Sequence, residues 1–400
     1  MLNIKWCSMS QQLINHSSDL KRLRDEGYEI EVRGGYLFIH HIPYLNLNKE
    51  INFGSLVSVL TLSSSTKTGT PDNHVIHFIG ENPCDINGGV ISAIQYSNVT
   101  TALNNTVTVN RSFSNKPTAG YPNYYEKVKR YADLISAPAK YLDETITEKT
   151  FKVIPDIENE TIFQYIDTNS SRANIELINS KLNGQKIAII GLGGTGAYIL
   201  DLIAKTPVQE IHLYDGDSFD QHNAFRSPGA ASIEELNKNY KKAEYYNGIY
   251  SNMHKSIIAH SYYVKKENIH ELEKMSYVFV CVDKNSVRKM ITDFLVSAGI
   301  TFFDVGLGVN VVDDKLTGAV RVTSATPEKY DHLPLRIFAG DSDNNDYATN
   351  IQIAELNSLN AILAVLKWKK ISGFYVDLEN EHHCSYSISV SKIFNEDVTT

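Results

Sequence analysis

The chain has 400 residues, 42% of them apolar and 21% charged, with a formal net charge of −8. The composition is that of a globular protein, and the length exceeds one ordinary core and implies two domains. The acidic balance argues against general nucleic-acid binding or docking on acidic membranes, and four scattered cysteines (Cys7, Cys84, Cys281, Cys384) with no C-x-x-C pair exclude a disulfide scaffold and fit a reducing cytoplasm.

The opening "MLNIKWCSMSQQL" lacks an apolar run of signal-peptide type, and the longest apolar stretch, 294–312, is interrupted by Asp304 and Asn310. Neither secretion nor membrane spanning is expected. Residues 1–150 read as an α+β domain. A short helix ("SSDLKRLRDEGY") precedes strands ("EIEVRGGYLFIHHI", "HVIHFIG") and Ser/Thr/Asn-rich surface loops, and the domain closes on the helix "YYEKVKRYADLISAPAKYLDETI".

Over 151–400 strand and helix alternate: "KIAIIGLGG", a helix over 195–205, "EIHLYDGD", a helix over 232–253, a strand near "AHSYYV", "YVFVCVD", a helix over 285–298 and "TFFDVGLG". This order predicts an α/β, Rossmann-like, mostly parallel sheet with right-handed crossovers. "NVVDDKLTGAVRVT" reads as a hairpin, 326–347 as a polar loop, 350–371 as a helix, and "GFYVDL" with "CSYSISVSKIF" as a terminal strand pair.

Gly191, Gly193 and Gly196 fit G-x-G-x-x-G at a strand-to-helix turn, and Gly194 adds a fourth position without Cβ. Such a turn lets backbone amides and a helix N-terminus meet phosphate oxygens, and Asp215, at the end of the next strand, stands where a ribose hydroxyl would be bound. The turn alone permits NAD, FAD or ATP. In "YDGDSFDQHNAFR", Asp215, Asp217, Asn223 and Arg226 gather carboxylates and a cation just past a strand end, which hydride transfer does not need and transfer of an AMP group does.

At these positions the sequence resembles the E1-like adenylyltransferases, which include the bacterial ThiF and MoeB proteins and the eukaryotic ubiquitin-activating enzymes. G-x-G-G-x-G followed by D-x-D-x(5)-N-x-x-R is matched by Gly191, Gly193, Gly194, Gly196, Asp215, Asp217, Asn223 and Arg226. The resemblance further implies a phosphate-binding Lys242, a magnesium-binding Asp283 in "CVDKNSVR", and an Arg172 that reaches a neighbouring subunit's ATP site in a homodimer. Its chemistry is MgATP-dependent adenylation of the C-terminal Gly carboxylate of a ubiquitin-like protein. No general base is required, because a carboxylate is already ionised at pH 7.

Many members then capture the acyl group on a cysteine. The loop "TPEKYDHLPLRIFAGDSDNNDYATN" has none, which leaves Cys84, Cys384 or an E2-like partner as acceptor, while Cys281 reads as core. The N-terminal domain has the character of those fused to ThiF-like modules in ubiquitin-like conjugation operons, some linked to phage defence, with E2-like and JAB-type peptidase partners. It is expected to recognise a partner or the modifier. Sulfur-carrier activation shares the first step but is disfavoured by the extra domain and the absent C-x-x-C pairs. A scaffold that binds nucleotide without turnover and an NAD-dependent oxidoreductase are the remaining alternatives.

Overall fold

The computed structural model describes residues 9–64, 66–154, 162–165, 167–173, 175–337 and 351–399. The chain divides into two compact units, Met1–Ser180 and Lys181–Thr400.

In the first unit, helices α1 (Met9–His16) and α2 (Ser18–Asp25) precede a six-stranded antiparallel sheet. Its strands are β1 (Glu29–Arg33), β2 (Tyr36–Leu45), β3 (Ile51–Val59), β4 (Val75–Ile79), β5 (Gln95–Ser97) and β6 (Arg111–Ser114), in the order β1-β2-β3-β4-β6-β5. Helix α3 (Tyr124–Leu142) covers the sheet because Tyr124, Val128, Tyr131, Ala132 and Ile135 recur at helical spacing and all are buried. Asn123 caps it, its side chain accepting from the Glu126 amide at 2.9 Å. The short helix α4 (Thr168–Ala173) follows near the end of this unit.

The second unit carries an eight-stranded sheet. Its elements are β7 (Lys186–Ile190), α5 (Gly194–Ile203), β8 (Glu210–Tyr214), α6 (Lys242–Tyr250), β9 (Ile257–His260), β10 (Tyr277–Val280), α7 (Asn285–Ser297), β11 (Thr301–Val312), β12 (Lys315–Ala325), α8 (Ala354–Ile371), β13 (His383–Ser387) and β14 (Lys392–Glu396). The order is β9-β8-β7-β10-β11-β12-β13-β14. The first five are parallel neighbours, and β11 to β14 are antiparallel. The chain leaves β7 toward β8 and later returns to β10 on the opposite side, so a switch point lies between the carboxyl ends of β7 and β10. Open α/β sheets bind ligands at such a crevice. Apolar runs such as "KIAII", buried from Ile187 to Ile190, fit strands covered on both faces.

Two elements differ from the sequence reading. The helix expected over 232–253 is broken into Ile233–Leu236 and α6, because Asn239 adopts φ +50 and Lys241 is extended ahead of α6. "GFYVDL" is not a strand: Gly373 at φ +71 ends α8, and the amides of Gly373 and Phe374 donate to Lys370 and Lys369 carbonyls. The terminal pair instead forms within "CSYSISVSKIF", as the hairpin of β13 and β14.

Candidate active site

The four motif glycines do different work. Gly191 turns the chain at φ +91, and a Cβ there would stand 2.7 Å from the Cys281 carbonyl oxygen. At Gly196 a Cβ would stand 1.9 Å from the Gly191 carbonyl oxygen, so the helix can follow the strand this closely only without a side chain. A Cβ on Gly194 would meet the Asn357 side chain of α8 at 2.0 Å. Gly194 and Gly196 therefore serve packing. Around Gly193 nothing among the described residues lies within 4 Å of the Cβ position, and this residue caps α5.

Behind the turn, Asp215 is buried at the end of β8. Its Oδ2 accepts from the Leu192 amide at 2.7 Å and its Oδ1 from the Asp217 amide at 2.8 Å, so this carboxylate fixes the glycine turn as well as facing its neighbours. Lys242, at the first turn of α6, is only 6% exposed. Its Nζ donates to Asp217 Oδ2 at 2.8 Å and lies 3.9 Å from Asp215 Oδ2, so it is held inside the unit rather than on a solvated helix face. Burial pushes the Asp215 carboxyl upward, against the pull of Lys242. Burial acts likewise on Asp217, but hydrogen bonds from Lys242 and Tyr263 outweigh it and hold that carboxyl below its usual range. The Tyr263 hydroxyl donates to Asp217 Oδ1, and that bond is the chief cause of a phenol pushed up to about 12.

Asn223 is buried and accepts from the Asp220 amide at 2.9 Å, which closes the short helix Gln221–Ala224. Its Nδ2 and the Nε of nearby Arg226 are buried with no hydrogen-bond partner among the described residues. Buried donors left without an acceptor are costly, and such atoms point to a ligand. Asn357 ties the two segments together, its Nδ2 donating to the Arg226 carbonyl at 3.3 Å and its Oδ1 accepting from Thr195 at 2.9 Å.

In front of the turn opens a cavity of about 710 Å³ whose lining includes Gly193, Gly194, Gly196, Asp283, Asn360 and Arg321. Asp283 follows β10 and is exposed at the cavity wall. Beneath lies Asp304, 0% exposed, between two cations. Arg321 Nη1 donates to its Oδ2 at 2.7 Å, while Arg288 Nε stands 2.9 Å from its Oδ1, out of line for a hydrogen bond. Arg288 also donates to the Val282 carbonyl at 2.6 Å, which fixes the turn bearing Asp283.

The sequence pattern of the ThiF family matches residues 169–373, just over half of the chain. The chain belongs to the ThiF family. Residues 18–168 match a domain of unknown function, DUF6791. No curated protein matches the chain. Similar solved structures include E. coli MccB with MccA-N7isoASN, at 18% identity over 69% of this chain and 83% of that chain with a TM-score of 0.47. E. coli MccB with ATP matches at 19% identity over 68% and 87%, with a TM-score of 0.45. Selenomethionine PaaA matches at 13% identity over 69% and 86%, with a TM-score of 0.45.

Within the ThiF unit, Gly193, Gly194, Gly196 and Asp283 line one cavity, and Asp215, Asp217 and Lys242 form a bonded cluster behind the turn. Arg172 lies on α4 in the other unit, and its side chain is outside the described residues, as are Cys7 and residues 338–350 of the cysteine-free loop. Cys84 is not accessible, because the chain bridging Leu45 and Val90 buries it completely. Cys384 faces away from the cavity. Its neighbours His383 and Ser385 line that cavity, and strand alternation puts Cys384 into a separate pocket with Leu363 and Lys367. Cys281, read as core, packs against the core of the sheet and also lines the cavity, and burial pushes its thiol upward. Sequence reading misses Tyr263, Asp304, Arg321 and Asn360. The only local signal is the glycine-rich "DVGLG", where Gly306 gives Arg321 room: a Cβ there would lie 2.7 Å from its Nε.

Proposed function

We propose that this chain adenylates the C-terminal glycine carboxylate of a ubiquitin-like protein with MgATP, releasing pyrophosphate. The observation that carries this reading is the open approach at Gly193 beside Asp215, Asp217, Lys242 and the partnerless Arg226 Nε. Phosphate oxygens would meet the amides at the start of α5, where the dipole of a ten-residue helix favours negative charge. Asp215 would hold the ribose. Arg226 and Lys242 would neutralise charge that grows on the α-phosphate and the departing pyrophosphate. Asp283 would hold magnesium, which supplies further neutralisation when bound. The substrate carboxylate attacks the α-phosphorus, the bond to the pyrophosphate oxygen breaks, and the product is an acyl-adenylate.

The second step favours a partner's cysteine, since Cys84 is buried and Cys384 lies on the far face of its strand. An E2-like protein fits that role, a JAB-type peptidase would complete such a system, and residues 1–150 would recognise the modifier or the partner. The test is radiolabelled pyrophosphate exchange into ATP, with candidate proteins ending in Gly. Exchange that depends on one of them is the expected result. Tight ATP binding without exchange in any pairing would favour a scaffold.

A further inference from the structure

The floor of the cavity holds more charge than adenylation accounts for. Asp304 is one buried carboxylate between two guanidinium groups, so the trio keeps one net positive charge. The two arginines are not equivalent. Arg288 directs its nitrogens to Asp304, Asn285 and the Val282 carbonyl and is confined by α7. Arg321 commits only Nη1, to Asp304 and to Thr323 at 3.3 Å, packs over Gly306 and lines the cavity. Its Nε and Nη2 have no protein acceptor among the described residues. A neighbouring acceptor is also unused. Asn360 is 0% exposed, its Nδ2 is pinned to the Gly306 carbonyl at 3.0 Å, and its Oδ1 has no donor among the described residues. The pinned amide leaves the oxygen as the end open to a donor. Gln352 adds a second buried acceptor, Oε1, without a donor among the described residues.

A cationic fork beside orphaned acceptors is complementary to a group with a carboxylate and an adjacent N–H. A peptide C-terminus has that pattern, and a free phosphate or an acyl chain does not. We infer that Arg321 holds the carboxylate of the substrate's last residue and that Asn360 Oδ1 accepts the N–H of that same residue. Asp304 sets the guanidinium plane, and the absence of a side chain at Gly306 lets it lie there. This assignment rests on the adenylation reading for its purpose but not for its test.

The test is titration calorimetry of the full chain, without nucleotide, using a hexapeptide ending in Gly-Gly as free acid and as C-terminal amide. A charge-assisted contact predicts that the acid binds about tenfold or more tighter. Arg321→Gln leaves Asp304 paired with Arg288 at 2.9 Å and removes the net positive charge of the trio, so this single variant is used, its folding checked by thermal melting. It should lose the acid preference, and Asn360→Leu should weaken both peptides alike. Equal binding of acid and amide to the wild type, no binding of either, or a retained preference in the folded Arg321→Gln variant overturns the inference. Acid-selective binding by a protein that catalyses no pyrophosphate exchange would leave this inference standing and refute adenylation.

Discussion

Gly193 and Gly196 sit three positions apart in one motif, yet they answer to different constraints. Adding a methyl group at Gly196 drives Cβ to 1.9 Å from a backbone carbonyl that cannot move aside, whereas at Gly193 it enters open space. Gly196→Ala should therefore cost about 1–3 kcal/mol or more, and Gly193→Ala should stay within about 0.5 kcal/mol of wild type, as read by urea melts. Gly193→Ala should nevertheless lose pyrophosphate exchange, because its methyl would occupy the place proposed for phosphate. A stable Gly193→Ala protein with full exchange would contradict that placement. Asp283 is exposed, so Asp283→Ala should melt like wild type and still abolish exchange. Full exchange in that variant would refute the magnesium assignment.

At the scale of elements, α3 shows what its sheet contact costs. Lys127 projects from α3 into the core of the first unit, 1% exposed, and its Nζ donates to Ser58 on β3 at 3.0 Å. Burial pushes this ammonium down from 10.5 to about 7. The folded chain thus releases the proton near pH 7, while the unfolded chain keeps it to about pH 10.5. Across that window the unfolded state binds more protons, so the contribution of this residue to stability rises with pH and is least favourable below 7. Lys127→Met should raise the melting temperature most at pH 6 and progressively less toward pH 10. Parallel wild-type and variant curves over that range would show that Lys127 is not buried in this way. The second unit uses an analogous sheet-covering helix, α8, for a further purpose: Asn357 and Asn360 on its inner face reach the glycine turn and the cavity floor.

For the whole molecule, the role of Arg172, which lies in the first unit, is a proposal that the sequence resemblance carries. The resemblance to E1-like enzymes implies action across a dimer. Mixing Arg172→Ala chains with Asp283→Ala chains should then restore part of the exchange that each lacks alone, since one site in a heterodimer would have both groups intact. No recovery in verified heterodimers would place Arg172 outside the site. Among the described residues no helix is long and apolar enough to cross a membrane.

The sequence by itself determined the elements and the nucleotide signature. "KIAIIGLGGTG" is an apolar run, a turn and a helix start, properties of neighbouring residues, and Asp215 and Asp283 fall at strand ends because strand length is written in the apolar pattern. The break at Asn239 and the Gly373 cap were less legible, since they rest on single backbone conformations inside otherwise periodic stretches. Only the tertiary structure decided which glycine is free for a ligand, that Lys242 is buried on Asp217, that Cys384 looks away from the cavity, and that Arg321 meets Asp304. Each of these depends on the register and packing of segments far apart in the chain, and a local pattern carries no record of what will be packed against it.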